Sequence, residues 1–142
     1  MSHEEAGEMA DEYPSVVSLV VSDMERLVAH RNRLERPFAD ILNPGSRQAC
    51  TVADVKAILR FGIKAPDPVL VHCEYGQSRS TAVAFGILAG RGYGLEESYQ
   101  MLALDHPPGR AFMPNLLVLA RFDQVLGRNG ELLRVGSAWC SD

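Results

Sequence analysis

Lysine is nearly absent from this chain: Lys56 and Lys64 are the only two, and the remaining basic residues are arginines. That skew suits a GC-rich bacterial genome. An excess of positive charge is also missing. With 14 Lys and Arg against 18 Asp and Glu the net charge is −4, which gives no support to binding nucleic acid or an anionic membrane surface. No apolar run is long enough to span a bilayer. The first twelve residues are acidic and lack the basic-then-apolar order of a secretory signal. Cysteine is scarce: Cys50, Cys73 and Cys140 are an odd set without framework spacing, which points to a reducing, cytoplasmic compartment. There are no internal repeats, no low-complexity segment and no ligand cluster for a metal.

What the chain does have is 142 residues, 46% of them hydrophobic and 23% charged. That is enough for one soluble domain with its own core. Residues 1–13 read as a disordered acidic tail and 14–142 as a single domain. Within it, one stretch stands out. Pro68 to Val71 is a short apolar run that predicts a buried strand, and Ser80 to Ala89 predicts a helix apolar on nearly every side. Between them lies His72-Cys73-Glu74-Tyr75-Gly76-Gln77-Ser78-Arg79-Ser80. A strand, a glycine-bearing loop and a helix N-terminus form a cradle for an oxyanion, because successive N–H groups turn inward and the helix dipole adds positive character. A thiol held there loses its proton more readily than a free cysteine. A nucleophile in an anion cradle suits attack on phosphorus.

This Cys-x5-Arg pattern, with His before the cysteine and Ser after the arginine, resembles the active-site signature of the cysteine-based protein tyrosine phosphatases. The Gly-x-Ser-Arg-Ser ending is most similar to the compact dual-specificity branch and its small bacterial relatives. The resemblance implies a phosphomonoester hydrolase, a protein tyrosine or dual-specificity phosphatase with a phosphocysteine intermediate. It also implies no cofactor, no metal, and a monomer acting on a phosphorylated protein or a small phosphomonoester. Hydrolysis of a small metabolite or nucleotide, and a phospho-binding module without turnover, stay open as alternatives.

Cys73 is the expected nucleophile. Arg79 can fork two hydrogen bonds to equatorial oxygens, which a lysine cannot. The N–H groups of Glu74, Tyr75, Gly76, Gln77, Ser78 and Arg79 are the expected phosphate cradle. By resemblance, Ser80 bonds the Cys73 sulfur and eases its departure, while His72 orients the loop. Asn115, in the segment Arg110 to Asn115, buttresses it. A general acid must also reach the loop. Asp67 precedes the strand and would lie about 15 Å from the thiol at ~3.3 Å per residue; Asp54 is spoken for as a helix-capping residue. Asp40, which follows a strand expected at 34–38, is the candidate. Cys50, in the same loop, is a candidate to trap an oxidised Cys73 as a disulfide. Two departures stand out: Tyr75 replaces a small residue common in relatives, and no phosphotyrosine-gripping loop is visible. The loop also carries no lysines of the kind that favour inositol phospholipids.

Strands expected at 16–21, 34–38 and 69–72 alternate with helices opening near Thr51, Ser80, Leu95 and Pro114. A capping box is expected at Ser22–Glu25, and 131–142 is ambiguous. The fold class expected is α/β: a mostly parallel, phosphatase-type sheet of about four strands flanked by helices, with the Cys loop between a strand and a buried helix.

Overall fold

Three short strands pair in parallel: β1 (Ser15–Ser18) lies between β2 (Arg33–Glu35) and β3 (Val69–His72). Val17 stands opposite Leu34 on one side and Val71 on the other. The computed structural model describes residues 1–107 and 111–140, with side chains through Ala138. Arg110 therefore falls outside the described residues. All four residues of β1 are buried, as expected of a central parallel strand.

The sheet has three strands where about four were expected, and β1 and β2 end sooner than the apolar runs suggested. The reason lies in their neighbours. The last ladder-like bonds run from Leu19 N–H to His72 O and from Phe38 N–H to Leu19 O. Beyond His72 the third strand gives way to the Cys loop, so Val20 and Val21 have nothing left to pair with.

Alternate faces of the sheet feed two cores. On one side Val17 joins residues of α3 (Val52–Gly62), α4 (Arg79–Gly90), α5 (Leu95–Asp105), α6 (Leu116–Leu126) and α7 (Glu131–Cys140). On the other, Val16 and Leu70 pack with Leu27 of α2 (Glu25–Val28) and with Ala6 and Ala10. Those alanines belong to a segment expected to be disordered. Instead, His3–Met9 form a helix, α1, followed by a 3-10 turn at Ala10–Glu12. Ser2 and Glu5 make a reciprocal capping box that satisfies two otherwise unpaired N–H groups. The small alanine side chains let α1 sit close against the sheet.

The box expected at Ser22 does not form. Met24 occupies the N-cap of α2, and the Ser22 hydroxyl accepts from Met24 N–H and pairs with the His3 ring. Thr51 and Asp54 do cap α3 reciprocally. The C-terminal end of α3 is tied by Arg91, which donates to the carbonyls of Gly62 and Ala65 and to both carboxylate oxygens of Asp67. The ambiguous tail is helix α7. The N–H groups of Gly130, just before it, and of Leu132, in its first turn, donate to the Asp123 carboxylate of α6. No helix among the described residues is long and apolar enough to cross a membrane.

Candidate active site

β3 delivers Cys73 to the carboxyl end of the sheet, and α4 begins at Arg79. Between them Gly76 adopts φ +75, a left-handed conformation that costs glycine little. The loop's carbonyls are fastened from outside. Glu74 O accepts from His3 N–H, Gln77 O from Met113 N–H, and Ser78 O from Asn115 N–H. The Thr81 hydroxyl lies 2.9 Å from both the Gln77 and Ser78 carbonyls. In a trans peptide the N–H points opposite to the preceding C=O. The N–H groups of Tyr75, Ser78 and Arg79 are thereby turned away from these anchors, toward the inside of the loop.

Gly76 N–H donates to Cys73 Sγ at 3.3 Å, and Ser80 Oγ lies 3.3 Å from the same sulfur. Burial by itself would raise the thiol pKa. Hydrogen bonds from the Ser80 hydroxyl and the Ser80 and Gly76 backbones, with the Arg79 charge, outweigh that and hold it below the ordinary cysteine value. Ser78 sits at the N-cap of α4 but makes no capping bond. Its hydroxyl donates instead to Asp40 Oδ1 at 2.8 Å, so the first N–H groups of α4 meet no side-chain cap.

Asp40 is thus held against the loop. Its Oδ1 also accepts from Asn115 Nδ2 at 2.7 Å, and the same amide donates to Ile41 O. Asn115 additionally caps α6 through Val118 N–H. The competing carboxylates are engaged elsewhere: Asp54 with Arg36 at 2.6 Å, Asp67 with Arg91.

Arg79 Nη1 donates to Phe38 O at 2.8 Å, while its Nε is buried with no partner among the described residues. His72 is fully buried, its Nε2 2.6 Å from Ser18 Oγ. Arg33 Nε donates to that hydroxyl, which joins guanidinium, hydroxyl and ring in one buried chain of contacts. Burial first, then nearby positive groups, push the His72 pKa down to about 4, so the ring is neutral at pH 7.

Tyr75 is 72% exposed. Two cavities of about 490 Å³ flank the loop. One runs from Arg79 and Phe38 to Arg47; the other is bordered by Met1, Gly76 and Phe112. Neither is lined by Cys73. Cys50 is buried, its sulfur 3.7 Å from the Thr51 carbonyl, and burial followed by Asp54 pushes its pKa up to about 12. A thiol so placed does not suit the trapping role expected of it. Among the described residues no group of three or more His, Cys, Asp or Glu is placed to hold a metal ion.

Ser18, Arg33, Thr81 and the residues at the start of α1 were not singled out from sequence. Thr81 had a visible signal, a hydroxyl in the first turn of an otherwise apolar helix. So did Ser2-x-x-Glu5, a capping-box pattern in the segment read as a tail.

No protein-family model matches the chain, and no curated protein matches it. Solved structures do. The archaeal phosphatase Tk-PTP in its active form is 26% identical over 94% of this chain and 88% of its own, with a TM-score of 0.56. Human DUSP28 is 20% identical over 90% of this chain and 88% of its own, at 0.58. The catalytic core of the yeast (S. cerevisiae) PP-IP phosphatase SIW14 is 14% identical over 95% and 85%, at 0.53.

Proposed function

We propose, from the premise that fold and Cys-x5-Arg loop are those of the cysteine-based protein tyrosine phosphatase superfamily, that this chain hydrolyses phosphomonoesters through a phosphocysteine. The observation that carries the proposal is the convergence on one loop of a thiol with a lowered pKa, Arg79 and Asp40. The Cys73 thiolate attacks phosphorus in line as the bond to the leaving oxygen breaks, and Asp40 supplies that oxygen's proton. Loop N–H groups and the unpartnered Arg79 Nε hold the equatorial oxygens. Water then attacks the phosphocysteine, Asp40 takes the water's proton, and the Ser80 hydroxyl stabilises the departing thiolate. Asp40 Oδ1 is occupied by Ser78 and Asn115, which leaves Oδ2 for the proton.

The substrate class we favour is a phosphotyrosine or mixed phospho-residue protein, handled in the cytoplasm by a monomer without metal. The loop's side chains Glu74 and Gln77 add no positive charge for a polyanionic head group, and exposed Tyr75 offers a face for an aromatic leaving group. The test is turnover of p-nitrophenyl phosphate with EDTA present, inhibition by vanadate, and then a phosphopeptide panel. Activity lost on chelation and restored by metal would overturn the proposal. Small phosphate esters turned over in preference to every peptide would move the substrate to metabolites.

A further inference from the structure

The outer edge of the Cys loop is lined by the start of the chain. The Met1 ammonium donates to Val71 O at 3.1 Å, and Cys73 N–H donates to Met1 O at 3.2 Å. His3 N–H donates to Glu74 O at 3.0 Å, and Ser2 forms an antiparallel bridge with Tyr75. At Gly76 the two segments touch. A Cβ there would lie 2.8 Å from both Met1 C and Ser2 N, closer than backbone atoms allow. Gly76 is also the residue whose N–H reaches the Cys73 sulfur. A short path therefore runs from Met1 and Ser2, through the Gly76 backbone, to the thiol.

The other side of this segment is anchored. α1 is capped by Ser2 and Glu5, and Ala6 and Ala10 are buried against Val16, Leu27 and Leu70. The His3 ring stacks on His72 with centroids 5.6 Å apart and planes 11° off parallel, and pairs with Ser22 Oγ at 2.7 Å. Besides the capping and Ser22 contacts, the hydrogen bonds of residues 1–3 join the backbone of the loop and of the strand leading into it.

We propose that Met1–His3 form a positioning strap, which holds the Glu74–Gly76 backbone in the shape that aims its N–H groups at the thiol and at a bound phosphate. The strap's value to catalysis rests on the phosphatase reading above, whereas its effect on the thiol does not. A strap of this kind adds no chemistry. It removes the freedom of a loop whose donors must be in place before charge develops.

A pair of substitutions isolates it. His3 is the first residue of α1, a position where proline is well tolerated. Ser2, at φ −75 and ψ 164, already has the conformation favoured before proline. His3→Pro thus deletes the N–H bonded to Glu74 O and keeps the helix, while His3→Ala removes the same ring and keeps the N–H. The measurement is the pH dependence of Cys73 alkylation by iodoacetamide, followed by peptide mass spectrometry, alongside kcat/KM for p-nitrophenyl phosphate. His3→Pro is expected to shift the alkylation midpoint upward by about one pH unit relative to His3→Ala. Its kcat/KM should fall about tenfold further, the scale of one positioned hydrogen bond.

Identical alkylation profiles for the two variants would overturn the strap. If His3→Pro does not fold, Ala6→Asp decides: it places a charge in the buried contact beneath α1 and leaves residues 1–3 intact. Hydrogen exchange showing α1 released with no change in Cys73 alkylation would then overturn the strap, and release with the upward shift would support it. Should the wild-type chain hydrolyse no phosphoester, the phosphatase reading fails, and the alkylation arm still tests the strap.

Discussion

Cys50 and Cys73 share one apolar core and are equally hidden, 1% and 2% exposed, yet their thiols are driven in opposite directions. Burial raises both. At Cys50 the Asp54 carboxylate adds to it, Arg121 and Arg36 offset little, and the pKa climbs to about 12. At Cys73 the Ser80 and Gly76 bonds and the Arg79 charge reverse the sign. The difference lies in what surrounds the sulfur: Cys73 meets the Ser80 hydroxyl, N–H groups and Arg79, whereas Cys50 faces a carboxylate. Removal from water does not make a cysteine reactive; donors oriented before the charge appears do.

The severest way to break this comparison is to exchange the thiols one at a time. Cys73→Ser should abolish turnover, by on the order of 10⁵-fold, the scale on which covalent nucleophiles act, while vanadate binding survives in the intact cradle. Cys50→Ser should leave kcat/KM within about threefold and cost stability only, since it sets a hydroxyl in an apolar site. Activity retained in Cys73→Ser would remove it as nucleophile. Arg79→Lys comes next. It keeps the charge and loses the fork, and should cost on the order of 10³-fold in kcat/KM. A near-wild-type rate would mean that phosphate binds elsewhere.

Asp40→Asn sharpens the comparison through the substrate. A general acid contributes about 10²–10⁴-fold where the leaving oxygen is basic. A phosphotyrosine peptide should therefore slow severely and a strongly activated aryl phosphate much less. Equal slowing of both substrates would assign the proton to another residue; Asp54→Asn and Asp67→Asn should show neither effect.

The smallest effect separates the thiols without any substrate. Because the Cys73 pKa lies below the ordinary thiol value and that of Cys50 near 12, lowering the pH from 9 toward 7 should stop Cys50 labelling first. Iodoacetamide near pH 7 should modify Cys73 and spare Cys50. Mild peroxide should give a reducible sulfenic acid at Cys73 with no Cys50–Cys73 disulfide. A disulfide detected by mass spectrometry would show that the loop opens far enough to bring the two sulfurs together.

Much of this site was legible in the sequence, because its chemistry is local. Cys73, Gly76, Arg79 and Ser80 lie within eight positions, and a strand before and a helix after fix their relation. Asp40 was reachable by elimination: the capping pattern that occupies Asp54 and the wrong strand end that disqualifies Asp67 are both local signals. What stayed hidden depends on distant partners. The end of β1 is set by where β3 turns away, not by its own β-branched residues. Arg33 reaches His72 only through Ser18, and α7 is capped by Asp123 from the preceding helix. The start of α1 is the instructive miss. Its acidic composition resembles disorder, while its stability comes from two buried alanines and a capping pair, features too sparse to register as a hydrophobic stripe.

Arg91 has a role beyond its ion pair. One guanidinium draws together the end of α3, the turn after it and the end of α4, bonding the Gly62 and Ala65 carbonyls and the Asp67 carboxylate. Removing that one side chain would loosen all three pieces at once. A single side chain thus fastens the entrance of β3, the end of the strand opposite the Cys loop.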